Sequence, residues 1–358
     1  MMVGLDYGNA RLRAMRSRLL SEADYDGLVA VESMDGLVAA LATTAYAADL
    51  DAALPRFTGL RRFDEVVRHH LVRVLGALPR FYERPHDGIV GLLTDRWDLQ
   101  NLRTIIRGAS RLEAADEMLR MTVPIGRLGT AELSELAMQP SLRYVIDLMV
   151  AWRIPSRATA QAVRDAWPAY ERSGDLVVLE SALNRAFAKR LDEVLADDES
   201  AAAVALRSEV DEINLLTSLR LQTARAAGEV TRSDTEENHE FLTGGRIRPD
   251  TLTRAAATDD RPTAVSLLDG VRLVPGWSLA LNDWAESDDL VALAEALRLA
   301  STRHAVGLFA RGDPLGYDVP VAFVRAQEHE ARNLRWIGRG IAHGLDRSAV
   351  ESNVVVVR

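Results

Sequence analysis

Carboxylates, amides and arginines recur at one spacing, acid-x-x-Asn-Leu-x-x-x-x-Arg, in three widely separated stretches of the chain. The stretches begin at Asp98, Asp211 and Glu330. Carboxylates could serve as general acids or bases, and arginines could bind anions. At about 100° per residue, however, the acid and the arginines of one copy lie on different sides of a helix and cannot pair with each other. Each must therefore face water, another helix, a neighbouring domain or a binding partner.

These repeated polar residues are the candidate site, and three interpretations stay open. The acid and the Asn could fix the register of packed helices, with their hydrogen bonds satisfied inside the protein. Alternatively, three equivalent helix ends could present arginines or acids to a partner at a pseudo-threefold axis, or the repeat could reflect ancestry alone. The candidates are Asp98, Asn101, Arg103 and Arg107, then Asp211, Asn214 and Arg220, then Glu330, Asn333, Arg335 and Arg339.

Residue types needed for several kinds of catalysis are missing. The single lysine, Lys189, lies outside any Gly-x-x-x-x-Gly-Lys-Ser/Thr motif, so the chain has no P-loop. The absence of cysteine excludes disulfides, thiolate metal sites and a cysteine nucleophile, and the seven histidines show no zinc-ligand spacing. The run Gly338-x-Gly340-x-x-x-Gly344 superficially resembles a dinucleotide loop, but it lies in a predicted helix with no strand before it. We therefore predict a protein without catalytic residues, cofactor or metal, and not an enzyme.

Charge and hydropathy restrict the partners. The net charge of −9 leaves no basic footprint for nucleic acid, so we expect no nucleic-acid partner. The N-terminal stretch lacks the apolar core of a signal peptide. The longest apolar-leaning stretch, Gly36 to Ala48, is shorter than the roughly 20 residues of a membrane helix. We expect a cytoplasmic protein that would serve a membrane only from its peripheral face.

The elements that must position these residues are predicted to be helices. The composition is 48% hydrophobic with only 6% aromatic residues, and period-2 runs are absent, which favours an all-helical protein. Leu92, Leu99, Leu102 and Ile106 follow the spacing of an amphipathic helix around the first motif. Thr94 or Asp95 is the predicted cap of that helix, and Gly344 the predicted end of the third.

The repeats predict three homologous helical domains around a pseudo-threefold axis. The Asn-Leu pairs are separated by 113 and 119 residues. Gly126-Arg127-Leu128 is echoed by Gly245-Arg246-Ile247 at a similar offset. We place the domains at 1–115, 116–230 and 231–358, with Gly228 to Glu240 as a linker. A partial fourth copy, Asp6-x-x-Asn9-Ala10-Arg11, leaves the phase open, since the N-terminal helix could complete the last domain or begin the first.

A family resemblance extends over the whole chain. Its most specific part is the C-terminal run Asp313-Pro314-Leu315-Gly316, Val319-Pro320-Val321 and Glu328-x-Glu330-x-x-Asn333-Leu334-Arg335-x-Ile337, supported by Tyr7-x-Asn9-Ala10-Arg11-x-Arg13. With these motifs the chain resembles the C subunit of archaeal-type (A-type) and bacterial vacuolar-type (V-type) rotary ATPases, the relative of the eukaryotic vacuolar d subunit.

The resemblance implies a funnel of three helical domains. One mouth would accept the central-stalk shaft subunits, and the opposite face would sit on the membrane proteolipid rotor ring. The chain would then be a non-catalytic coupling subunit in ion transport. The second copy departs from the others, with Leu216 in place of Arg103 and Arg335, and Ile213 in place of Gln100 and Arg332. The alternative is a helical-repeat scaffold of another complex; an enzyme would need converging titratable groups that the sequence does not provide.

Overall fold

The computed structural model describes residues 5–53, 57–83, 88–229, 241–269 and 273–357. Within those ranges all regular elements are helices, which confirms the all-α prediction. The first half contains α1 (Asp6–Arg16), α2 (Glu22–Val29), α3 (Met34–Leu41), α4 (Ala47–Ala53), α5 (Gly59–Leu75), a 3-10 helix (Leu78–Phe81), α6 (Ile89–Ser110), α7 (Ala115–Arg120), α8 (Thr130–Ala137), α9 (Leu142–Trp152) and α10 (Arg157–Ser173). The second half contains α11 (Val177–Leu195), α12 (Ala201–Ala226), α13 (Pro249–Ala256), α14 (Arg261–Asp269), α15 (Trp277–Ser287), α16 (Leu290–Val306), α17 (Leu308–Arg311), α18 (Asp318–Ala342) and α19 (Arg347–Glu351).

The three copies of the motif lie on long helices, α6, α12 and α18, of 22, 26 and 25 residues. The predicted cap of the first was wrong, because α6 begins at Ile89 and Thr94 is inside it. The buried apolar run from Ile89 to Leu93 extends the helix by more than a turn. Asp95 instead pairs with Arg190, Oδ2 to Nε at 2.5 Å. The end of α18 was predicted correctly, since Gly344 follows it with φ +66°.

Buried apolar side chains form three cores among the described residues. The first core joins the two ends of the chain, because it combines residues 12–97 with residues 305–350, and it also takes Val123, Ile125 and residues 188–210. The second lies between residues 102 and 183, and the third between 215 and 297. The helices α1 and α5 accordingly pack on α18. The boundaries at 115 and 230 stay a prediction.

Three further expectations concern the predicted linker, a membrane-spanning helix and the glycine run. Most of the predicted linker, residues 230–240, lies outside the described residues. No helix of the described ranges has both the length and the hydropathy needed to cross a membrane. The close-packing interpretation of the glycine run fits the structure, since a Cβ on Gly338 would lie 2.7 Å from the Phe63 ring and one on Gly340 would lie 2.5 Å from Val350.

Candidate functional site

The first two repeated acids hold the chain that follows their helices. The carboxylate of Asp98 accepts the backbone N–H of Arg127 at 2.8 Å and of Leu128 at 3.0 Å. The carboxylate of Asp211 accepts the N–H of Arg246 at 2.8 Å and of Ile247 at 2.9 Å. This contact explains the repeated Gly-Arg-Leu/Ile segment as the partner of the motif acid.

The glycine of that segment leaves room for the carboxylate. A Cβ on Gly126 would lie 2.3 Å from Asp98 Oδ1, and one on Gly245 would lie 2.4 Å from Asp211 Oδ1. Both distances are far below van der Waals contact, so a larger residue would displace the carboxylate or the loop. The Gly and the acid are therefore two halves of one contact.

The third acid, Glu330, makes the corresponding contact with the start of the chain. Its Oε2 accepts the backbone N–H of Leu20 at 2.6 Å, and its Oε1 accepts the hydroxyl of Tyr46 at 2.8 Å. Leu20 precedes the N-cap of α2, where Ser21 and Asp24 form a capping box. After Leu128 one half of such a box is present, since the backbone N–H of Gly129 donates to Glu132 Oε2 at 3.0 Å and glycine has no side chain to return the bond. The loop that completes the third copy thus lies at the N-terminus.

The repeated asparagines are buried and bonded to the backbone. Asn101 donates to the carbonyl of Val123 and accepts its N–H, both at 2.8 Å. Asn214 makes the same two bonds to Leu242, both at 2.9 Å. Asn333 donates to the carbonyl of Val355 at 2.9 Å. Their exposed fractions are 0%, 2% and 3%, so none is open to a partner.

Burial changes the titration of the three acids. It raises the pKa of Asp98 to about 7, against the lowering effect of the backbone N–H donors of Leu128 and Arg127. It raises the pKa of Asp211 to about 6 and that of Glu330 to about 7, with backbone donors again acting in the opposite direction. Desolvation disfavours the charged carboxylate, and the hydrogen bonds favour it. The three acids therefore lie in the protein interior, where backbone donors bind them.

The repeated arginines do not share one environment. Arg107 makes two bonds of 2.6 Å to the carboxylate of Glu180, and Arg103 donates to the side-chain oxygen of Asn184. Arg220 is exposed on α12. The structure brings Arg103 together with two arginines of α18, Arg335 and Arg339, at one cavity, and it leaves Arg107 and Arg220 outside that cavity.

The cavity has a volume of about 1100 Å³ and lies between the three motif helices, α11, α16 and the C-terminal segment. At three positions of the repeat, all three copies line it; directly before the acid these are Trp97, Val210 and His329. Two residues before the acid these are Arg96, Glu209 and Glu328, and two residues after it they are Gln100, Ile213 and Arg332. Equivalent faces of the three helices therefore surround one space, and their side chains differ.

The residues two places before the acids form an ion-pair cluster that links the three helices. Arg96 Nε lies 2.7 Å from Glu209 Oε2, and Arg96 Nη1 lies 3.0 Å from Glu328 Oε1. Arg325 pairs with Glu209 and, at 3.1 Å, with Glu328 Oε2. Burial acts against ionisation of Glu328, but Arg96 and Arg325 hold its pKa below the ordinary value. This cluster, named here the charge junction, joins helices that are far apart in the chain.

Sequence reasoning missed the charge junction. Its members at equivalent positions are ionisable in all three copies, with one arginine and two glutamates. An alignment of the copies extended by two residues toward the N-terminus would have found them. The opposite signs of the charges, one positive and two negative, would then have indicated mutual pairing.

The arrangement favours binding over chemistry. Among the described residues no cluster of His, Asp and Glu has the geometry of a metal site. The ionisable groups of the charge junction neutralise each other, and the motif acids are occupied by backbone donors. What remains accessible is a cavity between three helices, lined by both charged and apolar side chains, which offers both kinds of contact to a binding partner.

Comparison with known proteins gives consistent matches over nearly the full length. A model of the ATP synthase (C/AC39) subunit family matches residues 8–353. The C subunit of the A-type ATP synthase of Haloferax volcanii is 27% identical over 365 residues, which cover 98% of this chain and 97% of that protein. The C subunit of the V-type ATP synthase of Thermus thermophilus is 28% identical, with 98% of each chain covered. The V-type protein of Deinococcus radiodurans is 24% identical, with 97% and 90% covered.

Proposed function

The chain belongs to the ATP synthase (C/AC39) subunit family, as its motifs predicted, and from this premise we propose that it is the socket between the central rotor shaft and the membrane proteolipid ring of an A/V-type rotary ATPase. Family membership makes it a structural subunit of an ATP synthase and not a catalytic one. In the proposed role it transmits torque between shaft and ring during ion transport. It would act from the cytoplasmic face of the membrane, peripheral to the bilayer.

One observation carries the proposal: equivalent faces of α6, α12 and α18 line the same cavity. A socket needs several elements arranged around an open space and a rigid base that resists twisting. The charge junction links the three helices at one level, from Arg96 through Glu209 and Glu328. This geometry supports the proposed arrangement of three helical domains around a pseudo-threefold axis, with the shaft tip inside it.

The buried motif residues support the same role. Each motif helix is tied to a distant segment by an acid and an Asn, as Asp98 and Asn101 are to residues 123–128. Buried, fully bonded polar groups specify one arrangement and leave little freedom for the helix to slide. A subunit that transmits torque requires that rigidity. The acids and asparagines therefore belong to the frame of the socket, and the cavity wall to its function.

Site-specific photo-crosslinking in the assembled ATPase tests the proposal. A photoreactive residue replaces Leu299, which lines the cavity on α16. The matched control replaces Val291 on the same helix, which is 76% exposed and is not part of the cavity lining. We expect position 299 to crosslink to a central-stalk shaft subunit and position 291 not to do so. Crosslinks from position 299 only to other proteins, in a complex of normal composition, would instead favour the alternative of a scaffold.

A further inference from the structure

The cavity is basic although the protein is acidic. The chain has a net charge of −9. The cavity lining nevertheless contains more arginines than glutamates: Arg96, Arg103, Arg298, Arg325, Arg332, Arg335 and Arg339 against Glu209, Glu212, Glu295 and Glu328. A concave site with an excess of one sign of charge concentrates the field of that sign. An acidic occupant is therefore favoured over a basic or neutral one.

Some of these arginines are neutralised inside the protein. The charge junction occupies Arg96 and Arg325. On the next part of the wall, Arg298 and Arg332 both pair with the single carboxylate of Glu295. These groups fix the shape of the cavity but leave little net charge for a partner.

The remaining arginines form a basic wall, defined by Arg103 on α6 and by Arg335 and Arg339 on α18. Arg103 bonds to the neutral side chain of Asn184. No carboxylate of the described residues makes an ion pair with Arg335 or Arg339, although the charge of Asp64 acts on both from a distance. Burial lowers the pKa of Arg335, so its cation is held where water solvates it incompletely. An incoming carboxylate would relieve that cost.

The side of the cavity formed by α12 is different. The position equivalent to Arg103 and Arg335 is Leu216, which packs against the third core and not into the cavity. The exposed residue on this wall is Ile213, with 40% of its surface accessible. Leu299 of α16 also contributes to the lining. Around one cavity the structure therefore sets an arginine wall on α6 and α18. The opposite wall, on α12 and α16, combines the apolar side chains of Ile213 and Leu299 with the carboxylates of Glu212 and Glu295.

We propose that the occupant is a shaft tip with a carboxylate-rich side against Arg103, Arg335 and Arg339 and an apolar side against Ile213. This inference rests on the proposed function and adds the chemistry and the orientation of the partner. The unequal walls admit such a tip in one rotational setting, since a turn would place its carboxylates against Ile213. A joint with one setting transmits rotation without slipping, whereas three identical walls would accept several settings.

Binding measurements at low and high salt test the charge complementarity. The full-length chain is titrated with the purified shaft subunits of the same ATPase. The variant Arg335→Gln/Arg339→Gln removes two charges of the basic wall. The matched control Arg164→Gln/Arg172→Gln removes two exposed arginines of α10 outside the cavity. We expect wild-type affinity to fall with salt, and the wall variant to bind about tenfold more weakly at low salt with a reduced salt dependence.

Two single substitutions complete the test. Ile213→Ser probes the apolar contact, and Arg103→Gln shows whether the effect of the double variant arises from lost charge or from misfolding. Ile213→Ser should weaken binding by a similar factor at both salt concentrations, because apolar contact is not screened. Arg103→Gln should repeat the effect of the double variant on a smaller scale. Salt-independent binding that neither arginine variant changes would overturn the inference and leave the proposed function standing. Failure of the wild-type chain to bind the shaft at all would overturn both.

The single setting has its own test in the assembled complex. A photoreactive residue at Trp336, on the α18 wall, and one at Ile213, on the α12 wall, should capture different shaft peptides. We expect acidic residues beside the site captured from position 336 and apolar residues beside the site captured from position 213. Capture of the same mixture of peptides from both positions would show that the tip has no preferred setting.

Discussion

At the scale of single residues, the repeated asparagines show how a side chain can substitute for a strand partner. Asn101 and Asn214 each use donor and acceptor on one residue of a distant extended segment, as two backbones would. Each such pair satisfies a backbone N–H and C=O that have no helix to join. The amide is therefore bound to its position by both of its polar atoms, and neither is available for another role.

Replacing Asn101 by Leu should destabilise the chain. The substitution removes both bonds and leaves the N–H of Val123 buried without a partner, while its C=O keeps the N–H of Ile125; we expect a cost of about 1–3 kcal/mol in the free energy of unfolding. The measurement is urea denaturation followed by circular dichroism. Gln100→Leu, at an exposed position of the same helix, is the control and should change the free energy by no more than about 0.5 kcal/mol. Equal unfolding midpoints for the two variants would contradict the structural role of Asn101.

The pKa of Glu330 leads to a prediction about pH. Because its folded pKa is raised from 4.5 to about 7, its contribution to stability is present at low pH and is lost as the pH rises between these two values. In Glu330→Gln the amide oxygen can accept the N–H of Leu20, while the NH₂ group donates to the Tyr46 hydroxyl. We expect the variant to gain stability relative to wild type as the pH rises from acidic to above 7, measured by thermal unfolding across that range.

Asp98→Asn is the matched contrast to this variant. Both oxygens of Asp98 accept backbone N–H groups, so an asparagine must turn its NH₂ toward one of these donors. The variant should be less stable than wild type at acidic pH, by about 1–3 kcal/mol. If the stability of Glu330→Gln relative to wild type instead falls as the pH rises, folding lowers the pKa of Glu330, and this carboxyl group ionises readily in the folded state.

At the scale of elements, the sequence predicted what local spacing determines. The apolar period around Leu99 and Leu102 correctly predicted the amphipathic helix α6. Gly344 correctly predicted the end of the third motif helix, α18. The sequence did not indicate the start of α6, because Thr94 and Asp95 are typical cap residues and the apolar turn before them carries no such signal. Thr94 bonds to the carbonyl of Gly91 inside the helix instead. Local propensity is a weak guide where tertiary packing buries the side chain.

The repeated glycine segment gives a prediction at the same scale. Gly126→Ala should destabilise the loop, because its Cβ would lie 2.3 Å from Asp98 Oδ1. We expect a loss of about 1–3 kcal/mol as the carboxylate loses a backbone donor. Gly27→Ala is the matched control, since no atom lies within 4 Å of the added Cβ and the position is helical. That control should raise stability by about 0.5–1 kcal/mol. An equal effect of the two substitutions on stability would contradict the proposed clash between the added Cβ and Asp98.

At the scale of the whole molecule, the repeat closes on itself through the ends of the chain. The acid of α18 binds Leu20, where the acids of α6 and α12 bind segments that follow them in sequence. A period read from sequence has no intrinsic starting point, so it could not decide whether the N-terminal helix begins or completes a domain. The cavity could not be predicted from the sequence either, because it depends on which faces of three distant helices converge.

The last prediction follows from the position of the C-terminal segment in the core shared by both chain ends. The carbonyl of Val355 accepts from Asn333 at 2.9 Å and from the ring Nε2 of His329 at 2.6 Å, while Val354, Val356 and Val357 pack against that core. Deletion of residues 354–358 therefore leaves buried donors of α18 without partners and exposes apolar surface. Hydrogen exchange read by mass spectrometry should increase in α2 and α18.

The third core is the internal control of that experiment. Its helices α13 and α15 pack around residues such as Leu252 and Trp277, and none of the residues 354–357 belongs to this core. Local opening of one core leaves protection in the others unchanged when each core opens as a separate unit. We therefore expect unchanged exchange in α13 and α15. A uniform increase across all three cores would show instead that the chain unfolds as one cooperative body, in which the loss of one segment reaches every helix equally.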